Sequence, residues 1–412
     1  MQYLRLYIFI IMTFGFLLSA YPTDIRLADS LSVPAKITVH PVAVNEIQPD
    51  TASLALIEAM RPKKSLIQKI IDYFEESNKP VRNKKFDFSV IGGPYYSSDT
   101  KFGIGLVAAG LYRTSAADSM LMPSDVSLYL KATTSMYFEL GLRGNHIAPG
   151  DRMRINYIVN IAQIASHFWG IGYDNNVNDD NDSRYKYIRS QAEANFIWRL
   201  ARNFYIGPSV SFDYVNGRHF QKPWLWEGQD DRTFNLGVGF TIQYDNRDFL
   251  TNASRGMYMK IDQRFNPRFL LNCYAFSMTA LQFSWYHPLW KSATIAMQFR
   301  SKFTYGNTPW GLMPTLGGSE NMRGYFEGRY RDKCEMDFCI ELRQHVWRRN
   351  GAVVWVGAGT VFPEFKALRW RKVLPNYGIG YRWEFKKKMN VRLDLGFGKH
   401  QTGIIFSINE AF

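Results

Sequence analysis

The sequence predicts an all-β fold: a transmembrane antiparallel β-barrel of about sixteen strands, preceded by a short N-terminal periplasmic segment containing one helix. Three observations predict it. From Phe86 to Phe412, large apolar residues recur at every second position. The alternating segments are mostly about 10 to 14 residues long, above the usual strand length of about 5 to 6. Aromatics (Trp198, Phe204, Trp285, Tyr286, Trp290, Trp347, Trp383) crowd the segment ends, where an interfacial girdle sits.

The alternation defines the faces. Phe234, Leu236, Val238, Phe240, Ile242 and Tyr244 are separated by Asn, Gly, Gly, Thr and Gln. Met153 to Ile161 alternates likewise, and Val391, Leu393, Leu395 and Phe397 are interleaved with Arg392, Asp394 and Gly396. A period of two puts one oily face and one small or polar face on each strand. A soluble sheet buries the oily face, whereas a membrane barrel turns it to lipid and keeps the polar face in the lumen. The mean hydropathy of −0.25 agrees with the second arrangement.

The segments fall near 86–92, 101–113, 123–133, 135–145, 151–163, 185–199, 203–215, 232–245, 255–265, 271–287, 291–304, 335–347, 352–362, 374–385, 389–397 and 401–409. An even number returns both ends of the barrel to one side. One set of connections is mostly short (146–150, 200–202, 288–290, 348–351, 386–388), and the other holds the long ones (164–184, 216–231, 305–334). Short periplasmic turns and long outer loops are the expected asymmetry.

Ahead of the barrel, residues 1–20 read as a cleaved signal peptide: Arg5, an apolar run from Leu6 to Leu18, then Ser19-Ala20. The run is short for a spanning helix. Residues 21–85 read as a periplasmic tail, with four prolines up to Pro49 and an apolar stripe (Leu66, Ile67, Ile70, Ile71, Phe74) that predicts a helix over 63–78. That helix either plugs the barrel or serves as a linker near the membrane face, and the linker is the plainer reading.

Composition narrows function. The net charge of +14 is scattered in short runs such as 199–202, 348–349 and 386–388, which fits turns near lipid headgroups better than a nucleic-acid surface. Cys273, Cys334 and Cys339 make no disulfide framework. The seven histidines are dispersed, and no nucleophile-elbow, zinc-protease or phosphate-loop motif occurs. The expectation is therefore no enzyme, cofactor, metal or small-molecule substrate. At the C-terminus, Ile404, Phe406, Ile408 and Phe412 read as an amphipathic outer-membrane targeting strand, which implies an outer-membrane location and lipid as a partner.

The third long connection contains Leu316-Gly317-Gly318-Ser319-Glu320-Asn321-Met322-Arg323-Gly324-Tyr325. This resembles the Arg-Gly-aromatic motif of the sixth outer loop in the BamA/TamA-like bacterial surface antigen family. Tyr244-Asp245-Asn246-Arg247-Asp248 with Gly256 resembles the family's turn motif after the eighth strand. Residues 341–343 and 357–362 resemble the two strands after the loop. The resemblance implies that the loop folds into the lumen and that Arg323 pairs with Glu341 on the inner wall. The family often has an Asp on the following strand, where this chain has Gly357, so one acidic partner is expected in place of two. Family members usually carry POTRA domains, and residues 21–85 are too few and too irregular to read as one.

Three functions are weighed. An assembly or translocation factor would open its seam, expected between about Phe86–Ile91 and Gly403–Phe412, to unfolded outer-membrane proteins, with periplasmic partner proteins. A structural surface antigen or plugged pore would keep the seam paired. An enzyme barrel is the least supported.

Overall fold

The computed structural model describes residues 86–97, 101–115, 121–270, 272–386 and 388–412. The signal peptide, tail and 63–78 helix expected from the sequence lie outside the described residues. Within them, sixteen long antiparallel strands follow one another around a single sheet. The first eight are β1 (Phe86–Ser97), β2 (Lys101–Tyr112), β3 (Ser124–Thr133), β4 (Phe138–Ile147), β5 (Met153–Phe168), β6 (Ser183–Ala201), β7 (Phe204–Arg218) and β8 (Arg232–Asp245). Then come β9 (Gly256–Asn266), β10 (Phe276–Trp290) and β11 (Ala293–Gly306). After a two-stranded ribbon, β12 (Thr315–Leu316) with β13 (Tyr330–Arg331), the wall resumes. Its last members are β14 (Cys334–Trp347), β15 (Asn350–Phe362), β16 (Leu374–Lys386), β17 (Met389–Gly398) and β18 (Gln401–Ile408). Each segment expected from the sequence is a strand, with ends shifted by a few residues.

The faces are those of a membrane barrel. On β15, Val354 and Val356 are exposed while Val353 and Trp355 are buried. On β16, Tyr377, Ile379 and Tyr381 face out, and Asn376 and Arg382 face in. On β17, Leu393 is exposed beside buried Arg392 and Asp394. Charged residues inside and bare aliphatics outside invert a soluble core, and lipid is the solvent that favours this. Among the described residues no helix is long and apolar enough to cross a membrane, which says nothing against crossing by strands. Tyr286, expected in the girdle, instead points inward and is buried.

The seam differs from the rest of the wall. Every other neighbouring pair of long strands registers at least eight residue pairs, for example eight between β17 and β18 and twelve between β1 and β2. β1 and β18 close the ring through one, Ser97 with Ile405. The expected pairing of Phe86–Ile91 with Gly403–Phe412 is therefore corrected: contact lies at the other end of β1. β1 is twelve residues long and β18 eight.

Val356 sits mid-strand at 61% exposure. Val356→Arg is expected to lower folding stability in vesicles by about 2–4 kcal/mol, read from urea unfolding. An unmoved midpoint would show that this face does not meet lipid.

Candidate functional site: a buried arginine loop and the wall that holds it

The 307–333 connection turns into the lumen. Its Arg323 is 1% exposed, a cation far from bulk water. An isolated buried charge is costly, so its partners define the site. Nη2 donates to Glu341 Oε1. Nη1 donates to Asp394 Oδ2 at 2.8 Å. The guanidinium lies 3.7 Å from the centre of the Trp355 ring, a cation–π contact. Trp355 is itself held by its Nε1 donating to Asn376 Oδ1 at 3.0 Å, and Asn376 donates in turn to the Arg323 carbonyl.

The expectation of one acidic partner is thus corrected to two. The second comes from β17, not from β15. At position 357, the inward place where the family often has Asp, glycine supplies no carboxylate, and Trp355 two residues away offers its ring from the same strand.

The pairing spreads outward. Arg343 donates to Glu341 Oε2 at 2.9 Å. Arg382 donates to Asp394 Oδ1 at 2.5 Å and to Glu410 Oε2 at 2.8 Å. Arg392 donates to Asp394 Oδ2 at 3.3 Å and reaches back to the loop at the Ser319 carbonyl, 2.7 Å. β14, β16, β17 and residues beyond β18 share this network. Such a network tolerates burial because each charge has opposite charges within hydrogen-bond reach.

Backbone fit completes the dock. Gly324, at φ +109°, lies against the wall at Gly396, where an added Cβ would stand 2.6 Å from backbone carbon. Gly317 and Gly318 also have positive φ, which releases the loop from the β12–β13 ribbon. Met322 is buried, and Tyr325 donates to the Pro375 carbonyl at 2.6 Å while accepting from the Lys399 amide at 2.7 Å.

The C-terminal residues need correction. Ile404 is exposed on the outer face, and β18 ends at Ile408. Phe412 is not in phase on that face. Asn409, at φ +65°, turns the chain inward. Glu410 then accepts from Arg382 and Asn390, and Arg343 donates to the Phe412 carbonyl at 2.8 Å. The Phe412 ring packs on the cluster of Ala253, Tyr286 and Ala296. Phe406 lines the large cavity described below.

The other sequence motif shapes the short-turn mouth. Arg247 donates twice to Asp245, at 2.9 and 3.0 Å, and lies 4.2 Å from the centre of the Tyr258 ring. Asp248 accepts from the amides of Ser254 and Arg255. Tyr244, the last residue but one of β8, accepts from Asn246 Nδ2 at 3.2 Å. Gly256, at φ +105°, leaves no room for a Cβ beside the Asn246 carbonyl at 2.5 Å. The folded turn reaches across to the turn after β16, where Thr251 donates to the Lys388 carbonyl at 2.8 Å and Lys388 donates to Ser254. Ala253 on this turn meets Phe412, so two motifs far apart in sequence close one mouth together.

At the opposite end, helix α1 (Tyr173–Val177) caps the loop. Asn176 accepts from the Arg331 amide at 2.9 Å, and Arg329 pairs with Asp179. Between the docked loop and the β2–β6 wall a cavity of about 900 Å³ remains. The charges and aromatics of the site bind a loop and leave no cluster of His, Cys, Asp or Glu able to hold a metal among the described residues.

Sequence reasoning named Arg323 and Glu341. It missed Asp394, Trp355, Arg382, Asn376 and Glu410. The signal available for Asp394 was an acid at an inward position of a period-two strand.

These features define a class: an integral β-barrel whose lumen is occupied by one of its own loops, fixed by a buried arginine. The Omp85 superfamily domain matches residues 128–399, and the chain belongs to that superfamily. Its place is the outer membrane. The fold is similar to BamA from Haemophilus ducreyi lacking POTRA domains 1–3 (TM-score 0.51, 12% identity, 78% of this chain and 70% of that one). It is also similar to CdiB from Acinetobacter baumannii (0.52, 12%, 80% and 60%) and CdiB from Escherichia coli (0.53, 9%, 79% and 63%). The chain thus spans less than two thirds of either CdiB chain. No curated protein matches the sequence.

Arg323→Ala leaves Glu341 and Asp394 facing each other without the guanidinium. Arg343 still pairs with Glu341, and Arg382 and Arg392 with Asp394, so a loss of about 1.5–3 kcal/mol is expected, seen as a lower temperature for the heat-shifted gel band of the folded barrel. Arg323→Lys should fall between, because lysine keeps the charge but not the fork.

Asp332, on the loop outside the strands, is pushed up to about 6 by burial. A carboxyl raised in the folded state costs stability as pH rises from its unfolded value near 4 through about 6. Asp332→Asn should therefore raise stability at pH 8 by on the order of 2 kcal/mol, read as a higher unfolding temperature, and leave it unchanged at pH 4. An equal gain at both values would assign the effect to something other than this carboxyl.

Proposed function

We propose that this barrel assists the insertion or translocation of other polypeptides at the outer membrane, by parting β1 from β18 and offering a strand edge to the incoming chain. The observation that carries the reading is the seam: one registered pair, where every other pair of neighbouring long strands has at least eight. An edge strand freed of its neighbour exposes a row of backbone donors and acceptors, and an extended segment adds to it without any catalytic side chain. The arginine network supports the same division of labour. It fastens the loop to β14, β16 and β17, so the C-terminal wall stays rigid to within one strand of the seam. The partners on this reading are unfolded outer-membrane proteins, delivered with or without a periplasmic protein. No enzyme chemistry and no cofactor enter it.

A second reading, a surface antigen or plugged pore without insertase activity, rests on the loop that fills the lumen. Purified barrel in liposomes distinguishes the two. Faster insertion of an unfolded outer-membrane protein than in empty liposomes is expected. It should be lost when Ser97→Cys and Ile405→Cys are oxidised to a disulfide, and return on reduction. Acceleration that survives the closed disulfide would exclude the seam as the route. No acceleration in any form would favour the plugged pore.

A further inference from the structure

At the end of the barrel with short turns, two connections repeat one arrangement. Trp290 is followed by Lys291 after β10 and Trp347 by Arg348 after β14, and a third indole, Trp198, stands near the end of β6. The three indoles are 48%, 54% and 60% exposed. Exposed aliphatics flank each of them: Leu200, Leu289 and Val346. Both cations are exposed as well, and neither has an ion pair among the described residues. No Asp or Glu occurs in 198–203, 287–292 or 345–350.

Indoles at the end of a spanning strand settle at headgroup depth, with the ring in the apolar boundary and the N–H toward water. A cation one residue on then lies at the level of the phosphates. The geometry of two turns is fixed. Trp290 Nε1 donates to Gln344 Oε1 at 2.9 Å, and Gln344 Nε2 donates to Ser292 Oγ at 2.9 Å, which ties the turn after β10 to the last part of β14. The Arg348 guanidinium lies 4.5 Å from the centre of the Trp347 ring. Long cationic side chains on neutral lipid would gain nothing from this grouping. On anionic headgroups each gains Coulomb energy at a surface where aromatics already hold the depth.

We infer that this rim is a binding surface for anionic phospholipid headgroups, in the leaflet that meets the short turns, with Lys291 and Arg348 contacting phosphate and Trp198, Trp290 and Trp347 setting the depth. The surface works whether or not the seam opens, so it goes beyond the insertion reading.

The test compares the barrel in phosphatidylcholine vesicles with and without phosphatidylglycerol. Lipids retained on the protein are counted by native mass spectrometry, and folding is checked by the heat-shifted gel band. The wild-type protein should retain phosphatidylglycerol over phosphatidylcholine. Replacing Lys291 and Arg348 together by Gln should weaken that preference by on the order of five-fold per cation removed. Exchanging them for the other cation (Lys291→Arg, Arg348→Lys) should preserve it. So should Arg218→Gln with Arg232→Gln at the opposite end. Arg348→Gln alone carries the same test where the double variant does not fold. No preference in the wild type overturns the inference, as does a preference untouched by the Gln variants or lost equally at the opposite end. Displacement of the lipid by inorganic phosphate at comparable concentration overturns it too, because the site would then be one for a free anion.

Discussion

The structure depends on how one guanidinium is kept inside a barrel. Arg323 brings a permanent charge to the lumen wall, and the desolvation it suffers must be offset on the spot. Two carboxylates and an indole face do so, and each carboxylate is shared with further arginines on the wall. Removing Arg323 would leave both carboxylates to the wall arginines alone, and removing either carboxylate would take a counter-charge from Arg323. The loop is consequently as much a part of the C-terminal wall as the strands are, and its glycines are small because the backbone of Gly324 must touch that of Gly396.

The buried ionic fastening is one-sided. β14, β16 and β17 carry the network around Arg323, while the β5–β6 connection holds the loop farther out through Asn176 and Asp179, and the cavity lies toward β2–β6. The weakest joint in the sheet lies between those two regions, at Ser97 and Ile405. A barrel closed by sixteen equal seams would need uniform work to open anywhere. Here stiffness is concentrated on one side of a joint that has almost no ladder. The mouth beneath is covered by the turn carrying Asp245 and Arg247 together with the inturned Phe412, so the C-terminal residues stabilise the interior and do not extend the lipid-facing strand.

Much of this was legible in the chain. The sixteen strands followed from alternation, because a strand with lipid on one side and water on the other must show period two whatever its neighbours are. The inward face was legible for the same reason: Glu341, Arg343, Arg392 and Asp394 all occupy polar phases. The inward path of the loop and its pairing with Glu341 came from motif resemblance, since a loop carries no period to read.

Other features were not legible, because they depend on register and on which strands face one another across the lumen. Alternation says that Asp394 points inward but not at what height, and the two acids that clasp Arg323 are separated by three strand boundaries. Phe412 continues the apolar phase in sequence, yet a single left-handed residue at Asn409 redirects it, and only the waiting Arg382, Asn390 and Arg343 make that turn favourable. The sequence alone therefore determined that this chain is a membrane barrel with a polar interior. The tertiary structure decided which of its buried charges meet, because charge pairing is settled by distance across the lumen and not by order along the chain.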